Sequence, residues 1–293
     1  MTSISFEFSP VLQGVRILSL ALNLPGPAAL GRCRQMGAAC LKFEPPGGDP
    51  MRQYNPAAYA RLHEYIEVQT LDLKRASGQQ QLHDELAQAD VLITSFRPSA
   101  LAKLGLTWPA LRQQHPQLSQ IAIVGAPGEQ AETPGHDLTY LAENDLITGL
   151  DLPATMYADM GGSLVASEAV LQAVMHQRIA GQGMYREVAL SAAAGYLALP
   201  RCWGLSQPGA AVGGGHAGYR VYRCLDGRVA LAALEPHFAA RLCAAAGIEA
   251  GGMPTMFEPA THAAVAAFML TQTRRELELL AIAKDIPLHT LQA

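Results

Sequence analysis

Residues 15–43 read VRILSLALNLPGPAALGRCRQMGAACLKF, and the order of elements in this stretch decides the fold. Residues 15–20 are an apolar run of strand length. Asn23-Leu24-Pro25-Gly26-Pro27 interrupts it with residue types that mark turns. Residues 28–39 have helical spacing, and Gly37 is placed to cap the end of that helix. Residues 39–43 give a second strand. Strand, turn, helix and strand in this order form the building block of a parallel sheet, Rossmann-like in its sequence of elements. The first turn lacks the Gly-x-Gly-x-x-Gly pattern, so a dinucleotide fingerprint is absent.

The same alternation extends outward. Residues 44–52, EPPGGDPMR, carry three prolines and two glycines in nine residues and read as a surface loop. Such loops follow the carboxyl ends of strands, where open α/β sheets bind ligands; a plain connector is the other reading. Residues 84–89 look like the end of a helix, 91–94 a buried strand, 100–104 and 108–114 short helices, and 118–124 another strand. The Gly/Pro-containing loop 125–134 leads to His136. A largely apolar helix follows Asp159 and ends near Gly181, with a strand at 185–190 and a helix at 191–199. Residues 204–216 lie in a Gly/Ala/Pro-rich link. Beyond it, 219–222 and 229–233 flank a turn at Asp226-Gly227 and predict a hairpin; helices follow over 235–247, 263–271 and 274–284. The expected architecture is α/β, with a Rossmann-like parallel-sheet large domain over residues 1–203 and a smaller α+β domain over 217–293.

Composition narrows the function. A chain of 293 residues that is 49% hydrophobic can bury a sizeable core. The net charge is −4 and the basic residues are not bunched, which argues against a nucleic-acid surface. No apolar run reaches membrane-spanning length. The first fifteen residues have neither a basic n-region nor an apolar h-region, so no secretory signal is expected and the location is read as cytoplasmic. Five cysteines, at 33, 40, 202, 224 and 243, lack Cys-x-x-Cys spacing and fit scattered thiols of a reducing cytosol. The scattered histidines form no metal motif, and no metal or separate cofactor is expected.

Residues 134–163, PGHDLTYLAENDLITGLDLPATMYADMGGS, hold the candidate chemistry. His136 and Asp159 each stand where a loop gives way to an apolar run. Histidine titrates nearest neutrality and is the natural general base. A carboxylate at a helix start is biased toward its ionised form by the backbone dipole. Each residue also has a plainer reading: Asp159 as a helix cap, His136 as a hydrogen-bonded structural histidine. Glu235, at a strand-to-helix junction, has the plainer reading of helix-terminal charge complementarity.

Taken together, several stretches resemble the class III CoA-transferases and their racemase branch. They are GVRILSL (14–20), PGP (25–27), GAACLKFEPPGGDPMR (37–52), TLDLK (70–74), ADVLITSFRPSALAKLGL (89–106), PGHDLTYLA (134–142), ADMGGS (158–163), GQGMYREVAL (181–190) and YRVYRCLDGRVALAALEPHF (219–238). The Gly-His-Asp stretch and the Glu-Pro-x-Phe stretch look like the α-methylacyl-CoA racemase branch. The resemblance implies a 1,1-proton transfer at the α-carbon of a 2-methylacyl-CoA thioester, with CoA entering as part of the substrate. His136, oriented by Glu235, would serve one face of that carbon and Asp159 the other. Backbone N–H groups of Met160, Gly161 and Gly162 would hold the enolate oxygen. Lys42 and Arg97, at strand ends, and Arg52, in the loop after Asp49, would bind CoA.

The resemblance also implies a homodimer, interlocked in the family, and a last segment that returns to the large domain and would lie beyond residue 293. Two alternatives stand beside the racemase: a CoA-transferase using Asp159 as acyl carrier, and a repurposed paralogue with weakened CoA binding. The last draws on Glu64 and Glu67, which stand where the family has a basic stretch and would repel phosphate.

Overall fold

A computed structural model describes residues 9–249 and 251–292. Residues 1–8, part of the segment read as lacking a secretory signal, lie outside the described residues. The chain forms two compact units that divide between Ala198 and Leu199.

In chain order the first unit contains β1 (Arg16–Ser19), α1 (Pro25–Gln35), β2 (Ala39–Glu44), α2 (Met51–Tyr54), α3 (Pro56–Leu62), β3 (Glu67–Thr70), α4 (Ala76–Leu86), β4 (Val91–Thr94), α5 (Pro98–Lys103), α6 (Trp108–Gln114), β5 (Ser119–Val124), α7 (Asp137–Glu143), α8 (Tyr157–Ala180) and β6 (Tyr185–Ala189). It ends in α9 (Leu190–Cys202), which crosses the division. The strands form one parallel sheet in the order β3-β2-β1-β4-β5-β6. This is the doubly wound order, whose strand direction of travel reverses between β1 and β4 and opens a crevice at their carboxyl ends.

Side-chain alternation explains the two layers of helices. Ile17, Val91, Ile93, Ile121 and Ile123 point to one face and pack with Leu30 and Cys33 of α1 and Ala166 and Val170 of α8. Leu18, Leu20 and Leu92 point to the other and pack with Leu82 and Leu86 of α4, Leu101 of α5 and Leu111 of α6. Every residue of β4 and β5 is buried, as expected of strands covered on both faces. Small residues let α8 lie close to its neighbours: a Cβ on Gly162 would come 2.2 Å from Leu190 Cδ2. The sequence reading passed over β3, because the polar edge strand Glu67-Val68-Gln69-Thr70 carries no apolar alternation.

The second unit holds β7 (Tyr219–Cys224), β8 (Gly227–Ala232), α10 (Pro236–Ala246), α11 (Pro259–Leu270), α12 (Arg274–Lys284) and β9 (Leu288–Leu291). The expected hairpin is present as antiparallel β7 and β8, and β9 adds a third antiparallel strand on β8. Tyr222, Val229, Leu231, Leu242, Met269 and Leu277 form its core. Residues 204–216 are turns with one short 3-10 segment, Ala211–Gly213. Among the described residues no helix is long and apolar enough to cross a membrane.

The Pro/Gly loop after β2 is anchored from beneath by Lys42. Its side chain is fully buried, and its Nζ lies 2.6 Å from Asp49 Oδ2, 3.2 Å from Glu44 Oε1 and 2.9 Å from His63 Nε2. The His63 Nδ1 position lies 2.7 Å from the Tyr59 carbonyl, so that nitrogen carries the proton and Nε2 accepts from the ammonium. Three acceptors thus meet three N–H donors, which is the condition under which a buried charge is tolerated. Glu44, Asp49 and His63 also bring donor atoms within 4.8 Å of one another, as a cation site would; the chain's own ammonium sits among them.

Burial is the first reason that His63 titrates below the usual imidazole value, and the Lys42 charge adds to it. The folded state therefore favours neutral His63. Its stabilising contribution is present above the ordinary imidazole value and is lost as pH falls through the lower, folded-state value. The thermal midpoint should fall between pH 7 and pH 5, and less steeply in His63→Gln, which keeps an acceptor for Lys42 but does not titrate. Equal slopes for the two proteins would contradict this. Lys42→Ala, which leaves buried carboxylates without their cation, should cost about 3–5 kcal/mol.

Candidate active site

A cavity of about 430 Å³ opens at the carboxyl ends of β1, β4 and β5, and His136, Asp159 and Arg97 all line it. Its position is the crevice that the strand order predicts. Leu22 N–H donates to Ser95 Oγ (3.2 Å), tying the loop after β1 to the loop after β4.

His136 is the N-cap of α7, with extended backbone at φ −143° and ψ 170°. Thr139 fixes that backbone: His136 N–H donates to Thr139 Oγ1 (3.0 Å), and the same hydroxyl donates to His136 O (2.8 Å). The imidazole is exposed, so a ligand can reach it.

Asp159 departs from expectation in two ways. It lies inside the first turn of α8 rather than before the helix. Its carboxyl is also not biased toward the ionised form; it is pushed up to about 6, first by burial, then by the neighbouring Asp137 carboxyl, with His136 opposing. Asp137 is buried, and its Oδ1 accepts from Asp159 N–H at 2.9 Å, which joins the start of α7 to the start of α8.

The enolate donors expected at Met160, Gly161 and Gly162 are corrected by the same helix. Met160 N–H already donates to Met156 O (3.1 Å), and the two glycines continue the helical ladder. Their lack of side chains answers packing instead, Gly162 against Leu190 and Gly161 against Leu197.

Lys42 and Arg52 are not among the residues lining this cavity. Lys42 is enclosed in its buried cluster. Arg52 turns toward the same cluster, with Nη2 3.3 Å from Glu44 Oε2 and 2.6 Å from Tyr59 Oη. Glu64 and Glu67 do not line it either. Glu67 opens β3 at its amino end, opposite Leu41, and borders a small separate cavity with Arg16 and Glu85. A four-residue strand therefore separates Glu67 from the carboxyl edge where repulsion of phosphate was expected. Glu235 is the N-cap of α10 in the second unit.

Three residues of the site escaped the sequence reading. Asp137 follows His136 directly, and adjacency to a candidate base was the available signal. Tyr140 looked like part of an apolar run, yet its phenol lines the cavity. Burial raises its pKa, as do the charges of Asp159 and Glu143, while Arg97 opposes them. Tyr54, mostly exposed, lines the cavity from α2, and burial, Asp49 and Asp159 raise its pKa. A second cavity of about 450 Å³ adjoins the carboxyl ends of β2 and β3, with Leu71, Leu73, Leu104 and Lys74 in its lining, and Phe96 lines both cavities.

Residues 12–293 match the model of CoA-transferase family III. The chain belongs to this family. It is 30% identical over 197 residues to the "Probable fatty acyl-CoA transferase Rv3272" of Mycobacterium tuberculosis, a match covering 61% of this chain and 50% of that one. It is 27% identical over 270 residues to the "Alpha-methylacyl-CoA racemase" of Mus musculus, covering 85% and 68%. The chain thus spans about half the length of the first relative. The crystal structure of Rv3272 superposes with a TM-score of 0.85 at 24% identity, covering 97% of this chain and 86% of that one, which bears on the fold. The class III CoA-transferase resemblance and the α/β parallel-sheet architecture read from the sequence are both borne out.

The placement of α7 generates a test. A Cβ on Gly125 would lie 2.2 Å from Tyr140 Oη, and one on Gly135 would lie 2.5 Å from Tyr140 Cε1. Gly125→Ala should therefore displace the phenol and destabilise by about 1–3 kcal/mol. Combined with Tyr140→Phe it should cost less than the sum of the two single changes. Strict additivity in denaturant melts would mean that the two residues do not touch.

Proposed function

We propose that this chain acts on acyl-CoA thioesters and catalyses 1,1-proton transfer at the α-carbon of a 2-methylacyl-CoA, as a racemase or epimerase. The observation that carries this reading is the shared cavity of His136 and Asp159, two proton carriers from separate helices. The reaction needs one group to remove the α-proton and another to deliver a proton to the opposite face. In one direction the Asp159 carboxylate takes the proton, and the electron pair of the C–H bond moves into the thioester carbonyl as an enolate. The His136 imidazolium then gives its proton to the same carbon from the other side. In the reverse direction the roles exchange. The proposed chemistry rests on first-unit residues.

Acyl-CoA recognition is part of the proposal. Arg97 offers a charged donor at the catalytic cavity, and ionised donors bind phosphate or carbonyl oxygens more strongly than neutral ones. The adjoining cavity, largely apolar and edged by Lys74, suits a nucleotide base with its phosphates. A homodimer belongs to the same reading, and sedimentation at the mass of two chains is the expected outcome.

A second reading is favoured by one relative's description as a probable fatty acyl-CoA transferase. There the Asp159 carboxylate would attack the thioester carbonyl, expel the CoA thiolate and form a mixed anhydride. One pair of measurements separates the two. Racemisation predicts deuterium entering the α-position of a 2-methylacyl-CoA in deuterated water with no covalent adduct. It also predicts that His136→Gln and Asp159→Asn each lower the rate by about 10²–10⁴-fold. A hydroxylamine-sensitive acyl adduct on Asp159, with no α-exchange, would establish the transferase instead. Lys74→Glu should raise KM for the thioester several-fold and leave kcat nearly unchanged; an unaltered KM would remove the second cavity from the binding site.

A further inference from the structure

We propose that Asp137 is a positioning residue: it fixes the backbone of Asp159 while presenting a second carboxyl to it, and so makes Asp159 a carrier that both takes and releases a proton. The proposal rests on the reading of His136 and Asp159 as a proton-transfer pair.

Asp137 opens α7, and Asp159 lies in the first turn of α8. Asp137 is buried, yet among the described residues its carboxyl has no cation partner and one hydrogen bond, from Asp159 N–H. Paired carboxyls of this kind concentrate where proton affinity is being adjusted. The Asp137 carboxyl satisfies a first-turn N–H of α8, whose own N-cap, Met156, makes no side-chain hydrogen bond; an amide or hydroxyl oxygen could do the same without the charge. The groups facing Asp159 come from every neighbouring element: Asp137, His136 and Tyr140 from α7, and Tyr54 from α2. Arg97, at the start of α5, lines the same cavity. Of these, Asp137 is the one that disfavours the charged form of Asp159, and His136 favours it.

Racemisation gives this arrangement a purpose. The enzyme must hand a proton either way between a carboxyl and an imidazole. For groups with ordinary values near 3.9 and 6.5, a shared proton would rest on the imidazole by about 400-fold. Raised to about 6, first by burial and then by Asp137, the Asp159 carboxyl holds a proton more readily than an ordinary carboxyl. Both substrate configurations then meet a usable enzyme form.

The test replaces Asp137 by Asn, which keeps an oxygen to accept Asp159 N–H and removes the charge. The Asp159 carboxyl is followed by ¹³C NMR through its titration and assigned with Asp159→Asn. The expected result is a midpoint lower by about one pH unit than in the wild type, together with an equal shift in the acidic limb of the kcat/KM profile. An Asp159 midpoint that does not move overturns the proposal. If Asp137→Asn is too unstable to titrate, Asp137→Ser takes its place with the same expected shift. The NMR readout needs no turnover: a shifted midpoint in a protein whose wild type exchanges no α-proton supports the tuning by Asp137 and removes the racemase reading.

Discussion

The hydrogen bond from Asp159 N–H to Asp137 Oδ1 is the constraint on which the site depends. It joins the first turns of two helices that approach the cavity from different parts of the chain. His136, one residue before Asp137, is thereby set at a fixed place relative to Asp159. Tyr140, one turn further along α7, packs where Gly125 and Gly135 leave no room for a side chain and holds that helix against the loop leaving β5. His136 and Asp159 are thus positioned by backbone contacts and close packing.

Charge is arranged differently on the two sides of the switch point. Near β2, Lys42 is enclosed by Asp49, Glu44 and His63, and the cluster serves the loop rather than a ligand. Near β4 and β5, Asp159 has a carboxylate neighbour in Asp137, with the His136 charge opposing it. One cluster satisfies its charge completely and gives rigidity. In the other, burial and the Asp137 carboxyl raise the proton affinity of Asp159.

Much of this was legible in the sequence. The strand-turn-helix-strand of residues 15–43 and the apolar runs at 91–94 and 118–124 specify a parallel sheet, because strands covered on both faces are largely apolar. The hairpin at Asp226-Gly227 was legible from its turn. The edge strands β3 and β9 were not, since a strand with one open side needs no continuous apolar pattern. Within the site, His136 and Asp159 were found from residue type and their place at loop ends. The roles expected of Lys42 and of the Met160 to Gly162 backbone did not survive. Sequence shows that a lysine lies near the end of a strand but not that two carboxylates, two and seven residues further on, enclose it. It shows a pair of glycines but not that a leucine fills the space above one of them. The upward shift of Asp159 was equally out of reach, because it arises from a contact between residues 137 and 159.

The most direct measurement is a crystal structure of the protein with a non-racemising 2-methylacyl-CoA analogue bound. The expected result places the α-carbon between the Asp159 carboxyl and the His136 imidazole, about 3–3.5 Å from a proton-carrying atom of each. An α-carbon that meets only one of the two, or a thioester bound away from the crevice at the ends of β1 and β4, would contradict the two-carrier site.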